Sequence, residues 1–288
     1  MDDISGFTLT VVGLGLMGGS FAGALKGQCE KIIGVDLNQH TVQRAMERGF
    51  IDAGTIDLAE GVHKADVVVL ATPVRSIIKL VYSIGSLLQP GCILMDLGST
   101  KVDIMRAMEA LPDHVQPLGA HPMCGKEISG IEAADIDLYQ GRTFILSPLS
   151  RTSEQTLATG KTIASATGAV PLVVEGQRQD FLVGTLSHLP YLIACALIST
   201  ADKTTSPDPL AWKIVAGGYR DTSRVAGSDV TMMADILSTN REHVLQAVNV
   251  YIAQLQHLAD LIAQGDLGEQ ALRETLQYIQ ATRKEHYP

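Results

Sequence analysis

The sequence is poor in cysteine, and its cysteines form neither a metal-binding nor a disulfide pattern. Four cysteines occur among 288 residues, at positions 29, 92, 124 and 195, with no Cys-x-x-Cys spacing and no histidine cluster beside them. This argues against a zinc site and against a disulfide framework, and it is typical of a protein of the reducing cytoplasm. We therefore expect a cytoplasmic chain that binds no metal.

Basic residues are also scarce. Lys and Arg number 22 against 31 Asp and Glu, which gives a formal net charge of −9. An acidic surface disfavours nucleic acid and anionic membranes as partners, although a locally basic pocket can still hold a small anion. The first residues, Met1-Asp2-Asp3, lack the cationic and apolar segments of a secretory signal. The expected partner is thus a small-molecule substrate.

One long run lacks charge altogether. Phe181–Ala201 contains no Asp, Glu, Lys or Arg and is long enough to span a bilayer. It also contains Gly184, His188 and Pro190, and no Lys/Arg cluster flanks it on one side. We interpret it as a helix covered by other protein and not as a membrane span. Because the helical part of the chain is small, a symmetric homodimer built on these helices would supply the cover.

Short apolar runs and helical segments alternate over the first 175 residues. The run Val67-Val68-Val69-Leu70-Ala71 is apolar on both faces, as in a central parallel strand. This rhythm predicts an α/β fold with a doubly wound parallel sheet of the Rossmann type. Strands are expected at Leu9–Val12, Ile32–Asp36, Val67–Ala71, Cys92–Asp96, Thr143–Leu146 and Ala169–Val174, and helices at Gly18–Lys26, Gln39–Arg48, Ile77–Leu87, Val102–Ala110 and Ser153–Ala166.

After Glu175 the pattern becomes entirely helical. Val244, Val248 and Tyr251, for example, follow one another at helical spacing. We therefore expect a first domain over residues 1–175 and an all-α substrate and dimerisation domain over residues 176–288. The expected helices are Asp180–Thr200, Pro209–Ala216, Asp229–Leu237, Arg241–Gln264 and Gly268–Arg283.

A glycine-rich turn follows the first strand and opens the first helix, in the order Gly-Leu-Gly-Leu-Met-Gly. The first glycine permits the tight turn, the second lets a pyrophosphate approach the backbone, and the third allows close packing of helix on strand. The phosphates then lie at the helix N-terminus, where free N–H groups favour anions. The first domain is therefore predicted to bind a dinucleotide through Gly13, Gly15, Leu16, Met17 and Gly18.

Asp36 ends the second predicted strand, eighteen residues after Gly18. A carboxylate at about this spacing accepts hydrogen bonds from the adenosine ribose and repels a 2′-phosphate. No arginine follows directly, since the next residues are Leu37, Asn38 and Gln39. The expected cofactor is NAD, with NADP less favoured.

Two further strand ends are expected at the same edge of the sheet. Thr72 and Pro73 follow the third predicted strand, and Ser99 and Thr100 follow the next one. Ligands of such sheets bind outside the carboxyl ends of the strands. We expect Thr72, Pro73 and Ser99 to contact the cofactor. The alternative is that Thr100, and less so Ser99, only caps the next helix.

A histidine stands at another expected strand end, in the run Ala120-His121-Pro122. Because the proline holds the preceding residue in extended backbone, the imidazole is presented outside any helix. A neutral imidazole at this position can take the proton of an alcohol while hydride leaves the carbon. Considered alone, His121 also fits a purely structural role.

The helical half carries two arginines one turn apart, Arg220 and Arg224, at a glycine-rich helix start. Guanidinium groups bind carboxylates through two parallel hydrogen bonds, which suits an anionic substrate. The alternative is a surface ion-pair run that includes Asp221.

Six motifs occur in order: Gly-Leu-Gly-Leu-Met-Gly-Gly-Ser, Ala-Thr-Pro-Val, Asp-x-Gly-Ser-x-Lys, His-Pro-Met-x-Gly-x-Glu-x-x-Gly, Ser-His-Leu-Pro and Tyr-Arg-Asp-Thr-Ser-Arg-Val-Ala. Together they resemble the prephenate/arogenate dehydrogenase family of tyrosine biosynthesis, from about residue 8 to residue 245. The resemblance implies a nucleotide-binding domain followed by a helical dimerisation domain. It also implies NAD-dependent oxidative decarboxylation of prephenate or arogenate to 4-hydroxyphenylpyruvate or tyrosine.

The same resemblance implies roles for individual residues. Hydride would pass from ring C4 to the nicotinamide while His121 accepts the hydroxyl proton, and Ser99 would orient His121 and the nicotinamide. Arg224 would bind a substrate carboxylate, in a network with Glu127 and Asp221 at the pocket entrance. The full set of substrate-binding residues expected from the residues and the resemblance is His188, Arg224, Arg220, Glu127, Asp221 and Tyr191.

Three positions depart from the family pattern. Tyr191 stands where many relatives carry His after Ser-His-x-Pro, Gln179 where many carry His before Asp180, and Met232-Met233 where Met-Trp is common. Because the position of Tyr191 lies near the substrate side chain in the family, the choice between prephenate and arogenate stays open. The sequence also does not indicate whether tyrosine inhibits the protein.

Two other functions fit parts of the sequence. A β-hydroxyacid dehydrogenase or imine reductase would share the two-domain plan, but we would expect a catalytic lysine on its long helix. This helix offers His188 and no lysine before Lys203. The other alternative is a non-catalytic dimer that responds to NAD.

Overall fold

A computed structural model describes residues 4–287 of the chain. Its centre is an eight-stranded sheet in the order β3-β2-β1-β4-β5-β6-β7-β8. Neighbouring strands are parallel except for β6 and β7, which are antiparallel. The strands are β1 (Thr8–Val12), β2 (Lys31–Val35), β3 (Ala53–Thr55), β4 (Val67–Leu70), β5 (Ile93–Asp96), β6 (Gln116–Pro122), β7 (Thr143–Ser147) and β8 (Val170–Val173).

Helices cover both faces of the sheet. Several begin at capping side chains: Asn38 accepts from the N–H of His40, and Ser153 from that of Thr156. The helices are α1 (Leu16–Leu25), α2 (Gln39–Glu47), α3 (Leu58–Val62), α4 (Val74–Ile84), α5 (Val102–Met108), α6 (Glu154–Ala166), α7 (Gly176–Val183), α8 (Leu189–Thr205), α9 (Gly217–Ser223), α10 (Val230–Thr239), α11 (Arg241–Ala263) and α12 (Glu269–His286).

The core lies in two layers, one on each face of the sheet. On β4, Val67 and Val69 belong to the layer that contains Phe21 of α1, whereas Val68 and Leu70 belong to the opposite layer. All four side chains are fully buried. This is the burial expected for a central strand with helices on both sides, and it confirms the predicted α/β class.

The structure corrects several expected elements. The helix expected at Pro209–Ala216 is only a short 3₁₀ turn, Ala211–Lys213, and the helix begins instead at Gly217. The sheet is not wholly parallel, and it contains β3 and β6, which the strand predictions omit. β6 was hidden because its sequence, Gln-Pro-Leu-Gly-Ala-His-Pro, contains residues that rarely occur inside strands.

The secondary structure changes from alternating to all-helical between the end of β8 and the start of α7. Packing, in contrast, divides the chain after Arg241. One unit contains the sheet and the helices up to α10, and the other begins at Glu242 and contains the remainder of α11 and α12. A domain boundary at residue 175 stays a prediction.

Within residues 4–287, one continuous helical segment, Gly176–Thr205, is long and apolar enough to cross a membrane. This is weak evidence for a span, because core helices pass the same test. Only 22% of its most apolar window is buried inside the chain, and Ala194 is the one buried residue of α8. Residues 4–287 therefore leave most of this segment without the cover that we expect for it.

Candidate active site

The glycines of the first turn have different structural tasks. Gly13 has a φ of +94°, and a Cβ there would lie 2.7 Å from Cγ2 of Thr72. A Cβ on Gly18 would lie 1.8 Å from the carbonyl oxygen of Gly13. A Cβ on Gly15, however, would meet no described atom within 4 Å. The fold thus requires the first and third glycines, while the second leaves open space above the backbone.

The N-terminus of α1 is free to bind an anion. Gly15 is its N-cap residue, no side chain caps the helix, and its first turn contains no acidic residue. Leu16 is buried and Met17 half-buried, and the Met17 carbonyl accepts a hydrogen bond from the Tyr139 hydroxyl at 2.8 Å. These residues fix the turn, so that the unpaired N–H groups and the helix dipole face the open side.

Asp36 follows β2 and is half-buried. One carboxylate oxygen accepts from the N–H of Leu14 at 2.9 Å, and the other accepts from the N–H of Asn38, also at 2.9 Å. Each oxygen keeps a lone pair for a further donor. This geometry fits an acceptor for ribose hydroxyls beside the glycine turn.

Thr72 and Pro73 lie between β4 and α4, next to the same turn. The Thr72 hydroxyl is buried and has no hydrogen-bond partner within residues 4–287. Pro73 is exposed at the N-cap of α4. A buried hydroxyl without a partner needs one from elsewhere. Together with the open space at Gly15 and the uncapped α1, it fits a bound dinucleotide.

His121 lies near the end of β6, where its side chain is buried. Its Nδ1 is buried and has no hydrogen-bond partner among the described residues. Burial first, and then the charges of Lys101 and His188, lower the pKa of the imidazole from its usual 6.5 to about 3. The ring is therefore neutral at physiological pH and can accept a proton.

Ser99 follows β5, the strand beside β6, so the structure brings it to the same sheet edge as His121. No hydrogen bond joins the two side chains in the described part of the chain. Instead, the Ser99 carbonyl accepts from Nε2 of Gln179 at 3.3 Å. The contact to Gln179 ties the β5–α5 turn to α7.

A buried ion pair lies next to the ends of β5 and β6, near His121. Nζ of Lys101 contacts Oδ2 of Asp96, and neither side chain is exposed. The Asp96 carboxylate also accepts from the N–H groups of Gly98, at 2.8 Å, and Ala120, at 3.1 Å. Burial raises the pKa of Asp96 and lowers that of Lys101, while their mutual attraction opposes both shifts. The pair fixes β5 and β6 side by side below His121.

Asp180 of α7 caps α5 from outside. Its carboxylate accepts from the N–H of Lys101 at 2.7 Å and from that of Val102 at 2.9 Å. Gln179 also donates to it, at 3.1 Å. Asp180 is therefore the N-terminal cap that α5 lacks in its own sequence.

His188 and Tyr191 lie around the start of α8. His188 is buried, and its Nδ1 lies 3.2 Å from Nδ2 of Asn240. Burial lowers its pKa to about 4. Tyr191 is half-buried and packs against the core layer of α4 and α5.

The two arginines are more exposed than the buried histidines His121 and His188. Arg224 forms an ion pair with Glu127, with side chains 60% and 35% exposed. This joins the segment after α9 to the loop that follows His121. Arg220 and Asp221 are exposed on α9, and no ion pair joins them in the described residues. Of the four, Arg224 and Glu127 are the two that the structure brings together.

Sequence reasoning missed the buried polar residues that hold the site. Asp96 and Lys101 appear only as letters of a motif, and Asn240 was not singled out at all. No signal in one sequence marks which polar residues are buried. Within residues 4–287, no group of three His, Cys, Asp or Glu side chains is placed to hold a metal ion.

Comparisons with known proteins agree with one another. A family model described as "Prephenate dehydrogenase, nucleotide-binding domain" matches residues 21–173, and one described as "Prephenate dehydrogenase, dimerization domain" matches residues 175–278. A prephenate dehydrogenase of Bacillus subtilis is 30% identical over 263 residues, which cover 90% of this chain and 71% of that protein.

Two solved structures extend the likeness. Prephenate dehydrogenase from Aquifex aeolicus, crystallised with hydroxyphenyl propionate and NAD⁺, has a TM-score of 0.90 and 32% identity, with 99% of each chain covered. Synechocystis arogenate dehydrogenase has a TM-score of 0.80 and 28% identity, with 97% of this chain and 99% of that chain covered.

Proposed function

The chain belongs to the prephenate dehydrogenase family of NAD(P)-dependent enzymes, and from this we propose that it oxidises and decarboxylates prephenate with NAD as cofactor. The observation that carries the proposal is His121: a neutral, buried imidazole with an unpartnered nitrogen at the carboxyl edge of the sheet. A ligand of a doubly wound sheet binds at this edge.

His121 acts as the proton acceptor in this proposal. NAD, when bound, would supply the acceptor for the hydride that leaves the ring carbon carrying the hydroxyl. His121 holds the hydroxyl proton while that carbon becomes a carbonyl, and returns it to the oxygen once loss of the ring carboxylate as CO₂ makes the ring aromatic. Because its pKa lies far below 7, its proton site is free at physiological pH.

The remaining residues bind and orient. Asp36 accepts from the adenosine ribose, which favours NAD over NADP, and the α1 N-terminus with Gly15 takes the pyrophosphate. Thr72, Pro73 and Ser99 line the cofactor, and Ser99 also orients His121. Arg224 binds a substrate carboxylate, exchanging its contact to Glu127 for the ligand. The further substrate contacts are His188, Tyr191, Arg220 and Asp221.

We also propose that the chain works as a cytoplasmic homodimer. The family model over residues 175–278 is that of a dimerization domain, and residues 4–287 leave most of the apolar segment Gly176–Thr205 uncovered. A second copy would bury that surface.

A direct assay tests the function. Protein, NAD and prephenate are mixed, and the absorbance of reduced nicotinamide is followed together with CO₂ release, with arogenate and with NADP in parallel. We expect stoichiometric NADH and CO₂ from prephenate. His121→Asn should lower kcat about 100-fold or more, with little change in KM. If neither prephenate nor arogenate reduces either cofactor, the proposal is wrong.

A further inference from the structure

His188 lies in a turn that departs from regular α-helix geometry, and a proline in the sequence explains the departure. Gly184–His188 form a π-helical turn between α7 and α8. Two residues later, Pro190 has no N–H to donate to the carbonyl of Leu186, so a regular α-helix is interrupted here. The wider turn leaves Ser187 exposed while His188 is 2% exposed. The histidine is thus held inside the protein by backbone geometry.

Asn240 reaches the same place from the end of α10. Its Nδ2 lies 2.7 Å from the carbonyl oxygen of Asp180 and 3.2 Å from Nδ1 of His188. All three residues are buried. A carbonyl oxygen can only accept a hydrogen bond, so the amide must turn its NH₂ group, and not its oxygen, toward both partners.

This orientation determines which imidazole nitrogen carries the proton. Since the NH₂ group of Asn240 donates, Nδ1 of His188 must accept and is unprotonated. A neutral histidine with a bare Nδ1 carries its hydrogen on Nε2. Burial keeps the ring neutral, with a pKa of about 4. No group among residues 4–287 hydrogen-bonds Nε2, so its N–H is available to a ligand.

We propose that Asn240 is a positioning residue that holds His188 as the Nε2–H tautomer and so presents a neutral N–H donor to a carboxylate or carbonyl oxygen of the substrate. The part concerning substrate rests on the proposed function; the tautomer does not. The Asp180–Asn240–His188 chain also connects this donor to the cap of α5, which follows Ser99.

The tautomer can be read directly by ¹⁵N-histidine NMR of the whole protein without substrate. The His188 signal is assigned by its loss in His188→Leu. We expect Nε2 protonated and Nδ1 unprotonated at pH 7. In Asn240→Asp the carboxylate can only accept, so Nδ1 should become protonated. A wild-type His188 protonated on Nδ1, or an Nδ1 that stays bare in Asn240→Asp, would overturn the proposal. The wild-type result does not depend on whether Asn240→Asp folds.

Kinetics test the link to substrate. Asn240→Leu removes the donor at similar volume and should raise KM for prephenate about 10-fold, with a smaller change in kcat. Ser238→Ala, two residues away, is the matched control and should change neither. His188→Leu alone and combined with Asn240→Leu should give equal KM, because Asn240 acts through His188. Additive effects would show a merely structural role and contradict the proposal.

If prephenate and arogenate are both inert, the proposed function fails, and the NMR result still decides whether Asn240 sets the tautomer. If the enzyme is active but KM is unchanged in Asn240→Leu, the positioning role fails while the proposed function stands.

Discussion

At the scale of single residues, the three glycines of the first turn separate folding from binding. A Cβ at Gly18 collides with the backbone of Gly13, whereas a Cβ at Gly15 meets open space and Gly15 has an ordinary φ of −70°. Gly15→Ala should therefore fold normally but weaken NAD binding at least 10-fold, because its methyl group occupies the space of the pyrophosphate.

The matched variant is Gly18→Ala, which should lower the melting temperature or prevent folding. The comparison uses calorimetric titration with NAD and thermal unfolding of both variants. An unchanged dissociation constant for Gly15→Ala would contradict the placement of the phosphates at this turn.

The two buried histidines predict a pH dependence of stability. The pKa values of His121 and His188, about 3 and about 4, lie below the value of about 6.5 for an unfolded histidine. Between about pH 6.5 and pH 4 the unfolded chain therefore binds protons that the folded chain does not. The free energy of unfolding should fall as pH falls through this window, by up to about 1.4 kcal/mol per pH unit for each histidine.

Urea unfolding at pH 5, 6 and 7 measures this slope. In His121→Asn the free energy of unfolding should change less steeply with pH than in the wild type. The difference should correspond to the uptake of about one proton fewer on unfolding, since one titrating group has been removed. Equal slopes in the two proteins would show that His121 is charged in the folded state, which its role as proton acceptor does not allow.

Which residues could be predicted from sequence depends on whether they belong to a motif. Asp36 and the glycines stand at strand ends whose position follows from the apolar runs, and His121 belongs to the His-Pro-Met motif. The roles of Asn240 and of the Asp96–Lys101 pair were not predicted, because their burial arises from packing between segments far apart in the chain. The exposure of Arg224 could not be foreseen either, since arginine suits both a pocket and a surface ion pair.

At the scale of elements, α5 depends on a cap that another helix supplies. Asp180→Ala removes the acceptor of two backbone N–H groups, one of them in a buried residue, and should lower the free energy of unfolding by about 2–4 kcal/mol. Asp103→Ala is the control, because Asp103 lies in the first turn of the same helix and pairs with exposed Arg106.

We expect Asp103→Ala to cost less than about 1 kcal/mol in urea unfolding at pH 7. A similar loss of unfolding free energy in the two variants would show that the carboxylate of Asp180 does not stabilise the start of α5 more than an ordinary first-turn carboxylate does. A larger loss for Asp180→Ala agrees with a helix start that is completed by tertiary contacts.

Elements whose hydrophobic residues follow a clear strand or helix pattern were predictable. Elements that contain residues unusual for their type were not. The fully apolar β4 and the long helices α11 and α12 follow directly from their sequences. β6 was missed as a listed strand because of Pro117, Gly119 and Pro122, although His121 was expected at a strand end. A 3₁₀ turn at Ala211–Lys213 stands where a helix was expected. Its segment is rich in apolar residues, but Leu210, Trp212 and Ile214 are exposed, so packing does not support a longer helix there.

At the scale of the whole molecule, the uncovered apolar segment Gly176–Thr205 predicts self-association. Light scattering at micromolar concentration should give twice the chain mass of 30.7 kDa, without detergent. Leu186→Glu, placed on the exposed part of this segment, should shift the mass toward one chain, since a charge is costly in an apolar interface.

A chain that is monomeric at this concentration would contradict the homodimer, and a chain that requires detergent to stay in solution would favour a membrane-bound protein. Leu37→Glu, at an exposed leucine of the first unit, is the matched control and should leave the mass unchanged.

The central claim is that one imidazole and one guanidinium face the same ligand. A crystal structure with NAD and the product 4-hydroxyphenylpyruvate tests it most directly. We predict a nitrogen of His121 at about 2.6–3.2 Å from the phenol oxygen and Arg224 on a carboxylate of the ligand. A complex in which His121 faces away from the nicotinamide, with Arg224 still paired to Glu127 outside the pocket, would contradict the account.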